Sequence, residues 1–263
     1  MCLVLFALAA HRRWPLIIAA NRDEFYERPS APAAFWPEAP ELLAGRDLRG
    51  RGAWCGLNRG GDVAFLTNQR RPEAAAPPGA PSRGELVTGV LQGRVELSAL
   101  ASSADRYAGF NLVHARPERL GGGWRWGAAW LRNGPASGLD EVEPGVHGLS
   151  NGALDEPWPK VERGKAALIA ALAGTEGAEA LSGALFEVLR DERAAPDTEL
   201  PDTGVGLALE RLLAPVFIRA PGYGSRASTV VLGGADGTLR FEERGFGPEG
   251  APQGAARFTI ELG

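Results

Sequence analysis

The chain predicts an α+β fold, with antiparallel sheets packed against helices, and three observations carry that expectation. Residues 2–10 and 15–20 are apolar at consecutive positions, and unbroken rather than alternating apolarity marks strands covered on both faces. Helix signals fall in the middle of the chain with strand signals on either side. No regular β–α alternation appears, which disfavours a parallel α/β sheet. Finally, 36 Gly and 20 Pro among 263 residues make a turn-rich chain suited to many short strands rather than a helical bundle.

Taken in order, Cys2 to Ala10 and Pro15-Leu-Ile-Ile-Ala-Ala20 read as a central hairpin joined by the polar link from His11 to Trp14. Residues 28–41, with Pro29, Pro32, Pro37 and Pro40, read as an extended loop carrying Phe35 and Trp36. Two short strands from Trp54 to Thr67 flank the turn Asn58-Arg-Gly-Gly61. The stretch 71–81, with four prolines, reads as a flexible surface loop. Ser82-Arg-Gly-Glu85 has capping-box spacing ahead of Leu86, Val87, Val90 and Leu91, which predicts a helix. Strands are expected at Phe110–Ala115 and Gly123–Leu131. On the second of these, Trp124, Trp126 and Trp130 share one face, a core pattern rather than a platform for stacking bases. Pro159 opens a helix with Val161, Ala167, Leu168, Ala171 and Leu172 on its apolar side, and a second helix runs from Ala178 to Arg190. Residues 192–204 form a polar loop. Four strands close the chain at Val216–Arg219, Ser228–Leu232, Leu239–Glu243 and Arg257–Leu262.

At 44% hydrophobic, 263 residues bury one large core or two small ones. With no internal repeat and no linker between two cores, one domain over 1–263 is expected. A net charge of −4 and scattered arginines argue against a nucleic-acid partner. Two cysteines do not make a disulfide framework, and three histidines without cysteine or carboxylate at ligand spacing argue against structural zinc. The N-terminal apolar run has its basic residues, Arg12 and Arg13, on the wrong side for a secretory signal. No stretch approaches the roughly 20 apolar residues of a membrane helix. A cytoplasmic protein with no metal and no cofactor is the expectation.

The chemistry centres on Cys2. A methionine before so small a side chain is a good substrate for removal, which would leave thiol and free α-amine on one residue. An α-amine titrates near ~7.7–8.0 and a thiol near ~8.5. The amine therefore takes the thiol proton near neutral pH and later delivers it to a leaving amine. Asn21-Arg-Asp-Glu24 follows the second strand, either as a surface turn or as a polar cluster set beside Cys2 by the hairpin. In the second case Asp23 holds the ammonium or thiol and Arg22 depresses the thiol pKa. Gly148-Leu-Ser-Asn-Gly152 matches the serine nucleophile elbow, but Asp155-Glu-Pro-Trp-Pro159 replaces the helix that an elbow needs, and no histidine follows Ser150. Neither a P-loop nor a strand-linked dinucleotide turn occurs. Cys55, in Trp54-Cys-Gly56, reads as a buried small hydrophobe.

Met1-Cys2, Asn21-Arg-Asp-Glu24, Gly45-Arg-Asp47, Trp54-Cys-Gly56, Leu66-Thr-Asn68, Ser82-Arg-Gly84, Gly109-Phe-Asn-Leu112, Leu149-Ser-Asn151, Pro157-Trp-Pro-Lys160 and Tyr223-Gly-Ser-Arg226 occur in that order. By this set the chain resembles the NRDE family, also called the transport and Golgi organisation protein 2 family. That family is in turn similar to N-terminal-nucleophile hydrolases of the penicillin V acylase and bile salt hydrolase kind. The resemblance implies a four-layer αββα sandwich and an N-terminal cysteine amidohydrolase or acyltransferase acting on a small acyl substrate. It also implies a site: Cys2 as nucleophile, Arg22 and Asp23 beside it, Asn68 and Asn151 forming the oxyanion hole, and Arg226 as a late active-site arginine. Asn21-Arg-Asp23 departs from the Arg-x-x-Asp spacing of the acylases, and Cys55 stands where the family has an aliphatic residue. The family's association with haem and with lipid or acyl-coenzyme A handling implies the alternative of a hydrophobic-ligand-binding protein. Phe35, Trp36 and Trp158 would then line its pocket.

Overall fold

A computed structural model describes residues 2–70, 76, 79–134 and 137–263. Most of the proline-bearing stretch 71–81, residues 71–75 and 77–78, therefore lies outside the described residues, as does Met1. Two seven-stranded antiparallel sheets dominate the described residues. The first has the order β10-β1-β2-β12-β13-β14: Gly145–Leu149, Cys2–Leu8, Leu16–Phe25, Tyr223–Gly233, Thr238–Phe246 and Pro252–Glu261, with a short β11 (Arg219–Ala220) pairing β12. The second runs in chain order: β3 (Ser30–Trp36), β4 (Ala39–Asp47), β5 (Cys55–Asn58), β6 (Val63–Asn68), β7 (Phe110–Leu120), β8 (Gly123–Arg132) and β9 (Gly138–Glu141).

The strand period of two sorts the core into three layers. Val4, Phe6 and Leu8 of β1 and Ile18 and Ala20 of β2 face the second sheet, meeting Leu43, Phe65, Val113 and Trp126. The alternate residues Leu3, Leu5, Ala7, Ile17 and Ala19 face α3 (Pro159–Gly174) and α4 (Ala178–Leu189) through Val161, Leu168, Leu181, Leu185 and Phe186. On the outer face of the second sheet, Leu42, Ala64, Leu66, Phe110 and Leu112 pack on α1 (Gly84–Leu91) and α2 (Leu97–Ala101). The architecture is helix, sheet, sheet, helix, the four-layer αββα sandwich. Both faces of the first hairpin are covered, which is why its apolarity is unbroken. Each fully buried Leu or Ile contributes about 1.5–3 kcal/mol of transfer free energy to these layers. Among the described residues, no helix is long and apolar enough to cross a membrane.

Several local expectations are corrected. Residues 28–41 are not a loop but hold all of β3 and the start of β4. β3 is an edge strand whose register slips around Pro32, so its prolines interrupt no central ladder. β2 continues through Asn21-Arg-Asp-Glu24 rather than ending before it, and Asn21, Arg22 and Asp23 are buried. Helix α1 begins at Gly84 without the capping box: Arg83 is its N-cap and makes no side-chain cap, and Ser82 contributes its carbonyl to the N–H of Glu85. Val216–Arg219 forms no four-residue strand. The N–H of Phe217 bonds the carbonyl of Asp191 and that of Ile218 bonds Ser225 Oγ, so the segment plugs the layer beneath α4 instead of joining the ladder. Pro159 at the first position of α3 and the hairpin at Asn58-Arg-Gly-Gly61, where Gly61 has φ +91, follow the expected turn chemistry.

Candidate active site

Cys2 is the first residue of β1, and its parity with Val4 and Phe6 points it to the inter-sheet side. The ladder sets Cys2 opposite Arg22 and Arg22 opposite Ala227, and in the next row Leu3 opposite Asn21 and Asn21 opposite Ser228. A cleft of about 370 Å³ opens there, lined by Cys2, Arg22, Asp23, Asn68, Trp54 and Arg83 with their neighbours. Burial pushes the Cys2 thiol above its ordinary value, and the Asp23 carboxylate acts the same way. Arg22 and a hydrogen bond from the Asp23 backbone oppose them without prevailing. Arg22 therefore acts in the expected direction but does not depress the thiol overall. A thiol in this setting depends on a base to react.

The four residues of Asn21-Arg-Asp-Glu24 divide between the two faces of β2. Asn21 turns to the helix layer, donates from Nδ2 to the carbonyls of Leu189 and Val216 at 2.8 Å each, and accepts from Ser228 Oγ at 2.6 Å. Arg22 turns to the second sheet. Its Nη2 lies 2.6 Å from Asp47 Oδ2 and its guanidinium covers the Trp54 ring at 4.6 Å, while its buried Nη1 has no hydrogen-bond partner among the described residues. Asp23 accepts from Ser225 Oγ at 2.6 Å. Burial raises its carboxyl, and Lys160, the Ser225 hydroxyl and Arg22 pull it back.

Of the remaining expected residues, Asn68 closes β6 and lines the cleft. Asn151 is not among the residues lining it. Its Nδ2 donates to the Asn68 carbonyl at 2.7 Å, and its side faces a second cavity of about 270 Å³ shared with Arg70 and Trp158. Arg226 sits in a β-bulge of β12, outside the cleft lining. Its Nη1 donates to the carbonyls of Phe25, Tyr26 and Arg28 and its Nε to that of Phe246. Phe35 packs on Phe258 at 5.7 Å and under Arg59, and Trp36 lies on the outer face of the second sheet, donating to the Ala44 carbonyl. Phe35, Trp36 and Trp158 thus lie in three separate places, none of them lining the Cys2 cleft.

Three groups go beyond the roles read from the sequence. Asp47 binds Arg22 and Arg28 together, each at 2.6 Å. Arg83, before α1, lines the cleft. Lys160 is buried at the start of α3, donates to the Leu213 carbonyl at 3.0 Å, and is pushed down to about 8 by burial, against the Asp23 charge. The signal for Lys160 is its spacing of four from Gly164 and eight from Leu168, which puts it on the buried stripe of the helix. Cys55 is fully buried in the inter-sheet core, where burial pushes its thiol far up. Among the described residues no group of three His, Cys, Asp or Glu is arranged to hold a metal ion.

Comparison with known proteins places these features in a wider set. The family model described as Transport and Golgi organisation 2 matches residues 1–248. The "Transport and Golgi organization protein 2 homolog" of Homo sapiens is 35% identical over 261 residues, covering 93% of this chain and 92% of that protein. The "Transport and Golgi organization protein 2" of Drosophila melanogaster is 28% identical over 286 residues, covering 95% of each. Among solved structures, a Caenorhabditis elegans N-acylethanolamine-hydrolyzing acid amidase ortholog aligns with a TM-score of 0.47 and 10% identity over 88% of this chain and 92% of that one.

Proposed function

The chain belongs to the Transport and Golgi organisation 2 family, and from that premise and the surroundings of Cys2 we propose an N-terminal cysteine amidohydrolase or acyltransferase. Its substrate is a small N-acyl compound or acyl thioester. The observation that carries this reading is the position of Cys2: first in its strand, opening on a cleft of about 370 Å³, and flanked by Arg22, Asp23 and Asn68.

With Met1 removed, the α-amine of Cys2 takes the thiol proton, and the thiolate adds to the substrate carbonyl. The Asn68 amide, a neutral donor on the cleft, stabilises the oxyanion that develops. Collapse forms the carbon–sulfur bond of a thioester and breaks the bond to the leaving amine or thiol, which receives the proton from the ammonium. Water then hydrolyses the thioester, or an acceptor amine or thiol takes the acyl group. Asn151 and Arg226 serve as positioning residues in this scheme. Asn151 holds the Asn68 backbone, and Arg226 ties down the Phe25–Arg28 turn that follows Asp23.

Screening wild type and Cys2→Ala against N-acyl and acyl-thioester panels tests the reading, with intact mass reporting acyl adducts. Turnover and an adduct that both vanish in Cys2→Ala are expected. Asn68→Ala should cost about 10²–10³ in kcat, the effect of losing one oxyanion donor. Turnover unchanged in Cys2→Ala would sink the proposal. It would leave the non-catalytic alternative, a binding or trafficking protein for haem or acyl-coenzyme A.

A further inference from the structure

Arg83 is the cleft arginine that no carboxylate of the described residues pairs with. Arg22 and Arg28 both reach Asp47 Oδ2 at 2.6 Å, and Arg28 lies 3.6 Å from Glu24 Oε2. Arg83 instead donates from Nη1 to the Gly109 carbonyl at 2.8 Å, a neutral partner that orients the guanidinium without cancelling its charge. Its Nε and Nη2 donate to no described residue. The backbone beneath it is fixed by a close approach of two glycines: a Cβ on Gly52 would lie 2.2 Å from the carbonyl carbon of Gly84. The Ala53 N–H also bonds the Gly84 carbonyl. Burial and the nearby Arg28 charge disfavour the Arg83 charge, while a thiolate at Cys2 and, more weakly, the Glu24 carboxylate favour it, so Arg83 and Cys2 act on one another across the cleft. A guanidinium held in place, with free donors and no ion-pair partner among the described residues, is suited to a carboxylate or phosphate.

We infer that the Cys2 cleft selects acyl substrates carrying an anionic group, a carboxylate or a phosphate, and that Arg83 binds this group while Cys2 attacks the carbonyl. The inference rests on the reading of Cys2 as nucleophile and adds the substrate class.

Alkylation of Cys2 by iodoacetate and iodoacetamide, followed by peptide mass spectrometry, tests it without a known substrate. The ratio of the two rates divides out the thiolate fraction. Relative to a cysteine peptide, the ratio should favour iodoacetate by about tenfold, equivalent to about 1.4 kcal/mol. In Arg83→Gln it should return to the peptide value. A wild-type ratio equal to the peptide's, or one unchanged in Arg83→Gln, overturns the inference and leaves Arg83 as a support for the thiolate alone. Should Cys2 react with neither reagent, the acyl-enzyme reading fails separately, and calorimetry on the Cys2→Ala protein decides the anion site. Saturable binding of succinate or of inorganic phosphate, lost when Arg83→Gln is added, upholds it; binding of neither overturns it. Which of the two probes binds more tightly tells a carboxylate site from a phosphate site.

Discussion

Arg22 and Asp47 tie the two sheets together at the mouth of the Cys2 cleft: Nη2 of the first, on β2, lies 2.6 Å from Oδ2 of the second, at the end of β4. Asp47 also takes Arg28 Nε at 2.6 Å and the backbone N–H groups of Arg49 and Gly50. One carboxylate thereby sets the guanidinium opposite Cys2, fastens the Pro29-side turn and caps its own loop.

Asp47→Asn should destabilise the fold by about 3 kcal/mol, because removing one member of a buried pair strands the other charge. Urea unfolding measures this. Burial pushes the Asp47 carboxyl up, but the Arg28 hydrogen bond, the Gly50 N–H and the two arginine charges outweigh it, so it titrates below 3.8. Its contribution is fully present above pH 3.8 and fades as pH falls through the lower folded value. The variant should lack that part of the acid-induced loss.

Asn21 has a structural role. Its amide satisfies two carbonyls and one hydroxyl between β2 and the layer of α4. Asn21→Asp would set a carboxylate against the Leu189 and Val216 carbonyls. A loss of about 3 kcal/mol or more is expected from two unmet acceptors and a repelled charge, again by denaturant unfolding. A loss below 1 kcal/mol would contradict the assignment.

Glu243 lies between the sheets, accepting from the Ala33 N–H at 2.7 Å, and burial raises its carboxyl from 4.5 to about 7. The folded state holds a proton that the unfolded state releases earlier. Stability should therefore fall as pH rises from 4.5 to about 7. Glu243→Gln should flatten that decline in thermal melts, and an identical slope in the variant would argue against it.

Lys160 runs the other way. Burial lowers its ammonium from 10.5 to about 8, so the unfolded chain binds the extra proton between those values. Stability gains from this group as pH rises from 8 to 10.5, and Lys160→Met should remove that gain.

The layered fold was legible because period-two and period-3.6 burial leave marks in composition: Leu3 to Leu8 and Leu16 to Ala20 are apolar on both faces because both faces are packed. β3 and β4 were hidden by prolines that an edge strand tolerates, and β2 was cut short because Asn21, Arg22 and Asp23 are buried polar groups. Their partners, Leu189, Val216, Asp47 and Ser225, are distant in sequence. The same distance concealed Asp47 and Arg83, whose roles depend on β4 and α1 meeting the end of β2. Motif order singles out Asn151 and Arg226; that Asn151 donates to the Asn68 carbonyl and Arg226 to those of Phe25, Tyr26 and Arg28 is visible only in the folded chain. Trp36 and Phe35 were expected on a loop because aromatics among prolines look the same in an edge strand.

The central claim is that Cys2 acts with its own free α-amine. The intact mass of the purified protein, expressed with normal processing of its N-terminus, tests this most directly. A mass lower by one methionine residue is the predicted result. Retained methionine would leave an amide nitrogen where the base should be, and would contradict the account.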